Sequence, residues 1–355
     1  MTPSAKRAFL LCTIVLIFPT NVIADPEIDP ALDGLPILTI HIDRNDIFDT
    51  SDPKTKAWFY RWANALHIVS KEDFIRSMLL FKEGDPYSAS KAAESARVLR
   101  ALGIMNPVHI TAHRVDGGVD VTVETHDQWT LKAGAKLGVF GSNASYRADI
   151  EEENLLGWGK AVSVAYESDN ERNTWSLGYF DPNVFRSRWR VNLVHATYSD
   201  GFHDRVVVDR PFYSLSTPWT WGASGLRQEM VDHLYSQSES VVEGLHESER
   251  ASIWGGARLP GGGDITRRLV AGWDYRQHLY SDWALEETGR PYPPPEDRLI
   301  SGPRLSYEQV ADRFIVVRGF RAWAVQEDVP LGPNFSMTAI YSNPNFGGDR
   351  TRLLT

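Results

Sequence analysis

From Pro36 the chain alternates. Leu38, Ile40 and Ile42 fall on one side and Thr39, His41 and Asp43 on the other, which predicts a half-buried strand. Trp58, Arg61, Trp62, Ala65 and Leu66 then recur at helical spacing and predict a short amphipathic helix. A second helix is expected to start at Ser70, a capping hydroxyl with Asp73 three residues on. Phe74, Ile75, Met78 and Leu79 form its apolar face, and Gly84 and Pro86 end it. A third helix runs from about Ser90 to Leu102, with Ala92, Ala96, Leu99 and Leu102 as its stripe and Gly103 as its stop. Two strands, 108–114 and 119–125, flank Val115-Asp-Gly-Gly118, a hairpin signal. Residues 36–127 therefore read as one α+β unit, β-α-α-β-β with an extra leading helix.

From Trp129 the period-two pattern becomes strict. Trp129, Leu131, Ala133, Ala135, Leu137 and Val139 share one face, and Thr130, Lys132, Gly134, Lys136 and Gly138 share the other. In a soluble sheet the two lysines would face a core or the apolar row would face water. A membrane strand, with lipid on one face and a polar lumen on the other, accommodates both. The pattern returns at Val162-Val164-Tyr166, Trp175-Leu177-Tyr179, Trp219-Trp221-Ala223, Leu269-Ala271-Trp273-Tyr275 and Phe335-Met337-Ala339-Tyr341. Connections alternate in character. Leu155-Leu-Gly-Trp-Gly159, Asp181-Pro-Asn-Val-Phe185 and Pro260-Gly-Gly-Gly-Asp264 read as tight turns, whereas 168–173, 235–249 and 281–299 read as polar or long loops. An antiparallel transmembrane β-barrel of about twelve visible strands is predicted over 128–355.

Composition agrees. Twelve Trp, 13 Tyr and 15 Phe accompany a mean hydropathy of only −0.31, a combination found in soluble β proteins and in outer-membrane barrels, whose aromatics sit at the water–lipid interfaces. The formal charge is −9 with no long basic block, which argues against a nucleic-acid partner. Lys6 and Arg7 precede an apolar run from Ala8 to Phe18, too short to span a bilayer as a helix, and Val22-Ile-Ala24 precedes Asp25. Residues 1–24 are predicted to be a cleaved secretory signal and 25–35 a linker. Cleavage would take two cations with it, lowering the charge to −11, and would also remove Cys12, the one thiol.

The phrase Leu79-Leu-Phe-Lys-Glu-Gly-Asp-Pro-Tyr87, followed by Glu94, Leu99-Arg-Ala-Leu-Gly-Ile104 and Gly118-Val-Asp-Val-Thr-Val-Glu124, resembles the POTRA domain of outer-membrane assembly factors. Glu153-Asn-Leu-Leu-Gly-Trp-Gly-Lys160, Tyr179-Phe-Asp-Pro-Asn-Val-Phe185 with Ser187-Arg-Trp189, and Asp209-Arg-Pro-Phe-Tyr-Ser-Leu215 resemble the first three periplasmic turns of BamA/TamA-type barrels of the surface-antigen family. Together the resemblance covers roughly 36 to 345. It implies one periplasmic POTRA unit and a barrel in the outer membrane of a Gram-negative-type cell. It further implies assembly, insertion or translocation of proteins there, with no cofactor and no enzymatic step. The implied partners are outer-membrane lipid, unfolded or exported client proteins and periplasmic accessory proteins. The chain ends Arg350-Thr-Arg-Leu-Leu-Thr355, without the alternating, aromatic-ended last strand of that family, so against the resemblance either the sequence is C-terminally truncated or the barrel is an unusual one.

Two candidate binding sites come with it. Arg318-Gly319-Phe320 matches the Arg-Gly-aromatic motif of the long sixth loop, which folds into the lumen in that family; a plain strand containing Arg318 is the other reading. In the POTRA family the second strand lies at the sheet edge. Here that strand is Val108, His109, Ile110, Thr111, Ala112, His113 and Arg114, a candidate edge for pairing with clients.

Other chemistry is thin. Asp149, Glu151 and Glu153 alternate toward Lys132 and Lys136 and read as a solvated lumen wall. His109 and His113 share a strand face but lie roughly 13 Å apart, too far for one metal, and the ten histidines suggest no ligand pair. Gly222-Ala-Ser-Gly225 lacks the spacing of a nucleophile elbow, and Gly157-Trp-Gly-Lys160 that of a phosphate loop. An orphan pore or surface antigen without a client is the alternative function, and a lumen-based enzyme or lipid handler a weaker one.

Overall fold

The computed structural model describes residues 21–23, 29–50, 55, 57–140, 143–237, 239–261, 263–320 and 325–355. The basic and apolar parts of the predicted signal, and its Ala24-Asp25 junction, lie outside these residues. A short strand β1 (Asn21–Ile23) precedes the α+β unit, which contains β2 (Ile37–Asn45), α1 (Trp58–Leu66), α2 (Glu72–Met78), α3 (Ala89–Ala101), β3 (Met105–Val115) and β4 (Gly118–Asp127). Its sheet has the order β2-β4-β3, with β2 parallel and β3 antiparallel to the central β4.

The core of this unit lies between that sheet and helices α2 and α3. Ile37, Ile40, Val108, Ile110, Val119, Val121 and Val123 from the sheet meet Phe74, Ile75, Met78, Ala92, Ala96 and Leu99 from the helices. Three details depart from the pattern. A register shift between Ile37 and Thr39 turns Leu38 outward and lets Ile37 join Ile40 inside. Helix α1 leaves Trp58 and Trp62 72% and 59% exposed, so its aromatic face is not a core face. Helix α2 is capped by the backbone of Lys71 with no side-chain bond, because the Ser70 hydroxyl is engaged elsewhere, as described below.

Residues 131–354 form one antiparallel sheet of twelve strands. In chain order these are β5 (Leu131–Phe140), β6 (Asn143–Glu152), β7 (Ala161–Ser168), β8 (Asn173–Val184), β9 (Trp189–Tyr198), β10 (Gly201–Arg210), β11 (Trp219–Ser236), β12 (Glu239–Arg258), β13 (Ile265–Leu285) and β14 (Arg298–Ala311). A hairpin outside the sheet, β15 (Phe314–Arg318) and β16 (Gln326–Pro330), precedes β17 (Phe335–Ser342) and β18 (Arg352–Leu354). The order is β5 to β14, then β17 and β18, each paired to its neighbour; among the described residues no pairing joins β5 to β18. The strand number matches the periodicity, while closure into a barrel is not formed by these strands.

Register explains the alternation. Leu137, Val139, Trp175, Leu177, Leu193, Val206, Trp221, Ile253, Trp273, Leu305 and Met337 are exposed on one face. The other face is ionic. Arg147 donates to Asp149 (3.0 Å) and Glu167 (3.1 Å), Arg190 forks onto Asp209 (2.8 and 2.6 Å), and Arg268 reaches Glu308 (2.9 Å). A broad exposed apolar face is unfavourable against water and favourable against lipid. One predicted loop and most of one predicted turn are strand: 235–249 falls within the β11–β12 hairpin, and Asp181 to Val184 belong to β8.

Candidate functional site: the turn end of the sheet

All connections from an even-numbered strand of β6 to β12 to its successor, and the β14–β17 connection holding the β15–β16 hairpin, lie at one end of the sheet. Strand β4 enters β5 from that same end, so the α+β unit and these turns meet. Gly157 and Gly159 sit in the first turn with φ of +75° and +64°. A Cβ on Gly159 would fall 2.1 Å from the Phe74 ring, and one on Gly157 2.6 Å from the Val69 carbonyl. Glycine is required at both places by backbone conformation and by close approach.

A buried polar group seals this contact. Asp127 Oδ2 accepts from the Ser70 amide (2.7 Å), the Ser70 hydroxyl (3.0 Å) and the His67 ring (2.9 Å). Asn154 of the turn donates to Ser70 Oγ (2.9 Å) and accepts from the Gly159 amide (2.7 Å). The Lys71 amide donates to the Gly157 carbonyl at 2.8 Å. Burial opposes charge on His67, but the hydrogen bond and charge of Asp127, with Asp46 and Glu152 beyond, outweigh it and hold the imidazole pKa above its ordinary value.

The other turns bind in sequence. Asn183 donates to Ser77 Oγ (2.8 Å), Arg188 to the Leu79 carbonyl (2.7 Å) and Arg186 to Asp73 (2.7 Å). Glu94 accepts from the Leu215 amide of the third turn. The Arg100 guanidinium forks onto Asp328 of β16 (2.9 and 2.7 Å) and also donates to the Val108 carbonyl (3.0 Å). Asn106 clasps the Gln326 backbone both ways, donating at 2.8 Å and accepting at 2.9 Å. Of the motif residues that sequence resemblance alone singles out, Asn183 and Glu94 are buried fasteners across the junction, whereas Asp181 and Ser214 are buried and bonded within their own side of it.

Strand β3 holds the outer position of its sheet. Its backbone parity follows from two bonds. The Val119 amide points to Pro36 on the β2 side, and the Val108 carbonyl points to Arg100, away from β4. Val108, Ile110, Ala112 and Arg114 therefore turn their backbone groups outward, while His109, Thr111 and His113 bond to β4. Side chains of Val108, Ile110 and Ala112 are buried; those of His113 and Arg114 are exposed. Arg318 ends β15 opposite Gln326, and Gly319 and the exposed Phe320 follow at the hairpin turn, at the end of the sheet nearest the α+β unit.

The predicted polar wall is present, with Lys132 paired to Glu153 and Arg147 to Asp149. Among the described residues, His109 and His113 join no group of three possible metal ligands. Two histidines far apart in sequence are brought together: His246 Nε2 lies 3.0 Å from His278 Nδ1, and Asp232 reaches His246 Nδ1 at 2.9 Å. Only strand register could have revealed that. Near the opposite end, one ligand atom each from His233, Glu243 and Glu286 lie within 4.8 Å of one another, with Glu243 and Glu286 exposed. His233 and Glu286 already hydrogen-bond each other and Ser240.

No family model matches the chain. It is similar to "Outer membrane protein assembly factor BamA" of Neorickettsia risticii (strain Illinois), 26% identical over 166 residues, which is 45% of this chain and 21% of that protein. The chain therefore spans about a fifth of that curated relative's length. Loose structural likeness extends to BamA from Haemophilus ducreyi lacking POTRA domains 1–3 (TM-score 0.38, 9% identity, covering 85% of this chain and 84% of that one). It extends also to CdiB from Acinetobacter baumannii (TM-score 0.38, 10% identity, 86% and 48%).

Proposed function

We propose that this protein is an outer-membrane β-barrel protein with a periplasmic POTRA-like domain (36–127) that assists assembly, insertion or translocation of client proteins. The observation that carries the reading is the outer strand β3, held by the junction at the turn end of a sheet whose exposed face is apolar. An outer strand offers backbone donors and acceptors to an extended client. Exposed His113 and Arg114 discourage runaway self-association at its end. No cofactor is invoked; clients gain backbone pairing near the lipid-facing sheet, where unpaired amides are most costly.

The outward parity of Ala112 defines the test. Ala112→Pro removes an outward donor and leaves the β4 ladder intact, whereas Thr111→Pro breaks that ladder. In membranes, client crosslinking from a photoreactive residue at Arg114 should fall strongly in Ala112→Pro while the unit stays folded. Undiminished crosslinking in a folded Ala112→Pro protein means that clients pair elsewhere.

A further inference from the structure

The β15–β16 hairpin has two edges, and they are treated differently. At the β16 edge the backbone of Gln326 is occupied by the protein itself: the Asn106 carboxamide donates to the Gln326 carbonyl and accepts from its amide, as one residue of a neighbouring strand would. The hairpin is also fixed in place, by the Arg100 fork on Asp328 and by the Arg97 guanidinium 4.1 Å from the Phe314 ring centre. The β15 edge is covered by β1, antiparallel, with Asn21 opposite Arg318, Val22 opposite Val317 and Ile23 opposite Val316.

Those three residues precede the predicted cleavage position at Asp25. A chain processed there has β15 without its neighbour. The backbone groups that β1 satisfies are defined by parity. The Gly319 amide donates to Val325, and the Arg313 carbonyl accepts from Leu331, so 313, 315, 317 and 319 bond to β16. Residues 316 and 318 therefore face β1. Losing β1 would uncover the outward backbone donor and acceptor of Val316, beside Val317, on a rigidly docked strand.

We infer that the outer edge of β15 is a strand-accepting site, distinct from β3, which in the processed chain takes an extended client segment with a β-branched or other apolar residue opposite Val317. This rests on the client-handling reading above. The evidence on chemistry is the occupant itself: Val22 lies opposite Val317, which is buried, and the pairing uses backbone groups any extended chain supplies.

The register gives a test without folding risk. Val317 and Val22 form a non-hydrogen-bonded pair, the closer kind, within disulfide reach. The processed full-length protein, which lacks Cys12, is made as Val317→Cys in bilayers. It is offered synthetic peptides of residues 18–26 with a thiopyridyl-activated cysteine at 21, 22 or 23, so that exchange with the protein thiolate forms the new disulfide and releases thiopyridone; all peptides below are activated in the same way. A second set spans residues 335–342, an alternating strand, with cysteine at Ala339 (apolar row) or Thr338 (polar row), beside a Gly-Ser peptide with one cysteine. The expected result is disulfide capture of the position-22 peptide at least about tenfold above the 21 and 23 peptides. The Ala339 peptide should be captured about tenfold above the Thr338 and Gly-Ser peptides, and Val316→Pro should abolish both gains. Equal capture of every peptide overturns the site. Capture of the 18–26 peptide alone overturns the client assignment and leaves the edge as a seat for the chain's own leader. Peptide capture here with client crosslinks at Arg114 insensitive to Ala112→Pro would sink the β3 reading and spare this one; the converse pattern would do the reverse.

Discussion

The α+β unit and the twelve-strand sheet use the same alternation in opposite senses. In the unit, Val119, Val121 and Val123 point into a closed core whose buried members all lie between Leu32 and Val123. In the sheet, Leu177, Val206, Ile253 and Trp273 point outward and stay exposed, while arginines and acids pair on the other face. Among the described hydrophobic residues of the sheet region, Trp158 packs against the unit's core, as a partly buried neighbour. Period two therefore reports that a strand has two unlike faces; which face meets solvent depends on whether helices are available to cover the apolar one. Helices α2 and α3 supply them for the unit, and among the described residues no comparable helix follows Asp127.

Core truncation should separate the two regions most sharply. Leu99 is fully buried, so Leu99→Ala should destabilise the unit by about 2–5 kcal/mol. Denaturation of a 25–127 fragment, expected to unfold cooperatively, measures this. Leu137 is 77% exposed, and Leu137→Ala should leave that region's stability nearly unchanged in detergent. Equal losses would erase the distinction.

A charge reverses the comparison. Leu177→Arg, on the apolar face, should cost about 2–4 kcal/mol in bilayer refolding if it lies near mid-membrane, whereas Ser176→Arg on the polar face should cost little. Similar costs at both positions would contradict a lipid-facing surface.

The junction is next in size. Asp127→Asn weakens a carboxylate that accepts three hydrogen bonds in a buried site, with an expected loss of about 1–3 kcal/mol. Because the His67 pKa is raised on folding, its contribution is fully present below the unfolded value near 6.5 and is lost as pH rises through the folded value. Wild type should therefore lose its stability advantage over His67→Gln as pH increases across that window. An advantage that grows with pH would contradict the assignment. Arg186→Ala, which removes an exposed pair with Asp73, should change stability by no more than about 1 kcal/mol.

Sequence made the strands legible wherever a two-sided environment imposed alternation, as at Leu131 to Val139. It also made the 115–118 hairpin legible, since Asp-Gly-Gly demands a tight turn. It misplaced Leu38, because a bulge costs one residue of register and leaves no local sign. Ser70 looked like a helix cap because the local pattern cannot show that Asp127 and Asn154, 57 and 84 residues away, compete for its hydroxyl. The edge position of β3 followed from resemblance alone, and its backbone parity needed the Val119 and Val108 hydrogen bonds. The hairpin carrying Arg318 was ambiguous in sequence because Phe314 to Arg318 alternates no differently from a sheet strand, though it pairs outside the sheet.

The most direct test of the outward-facing account is cysteine accessibility along β8. The processed chain is made with single cysteines at residues 174 to 179 and reconstituted into lipid vesicles, then exposed to a water-soluble maleimide. Protection should alternate, with 175, 177 and 179 shielded and 174, 176 and 178 reactive, and the alternation should collapse when lipid is replaced by urea. Uniform reactivity along the strand, or shielding of 174, 176 and 178 instead, would contradict the claim that this sheet turns its apolar row toward the bilayer.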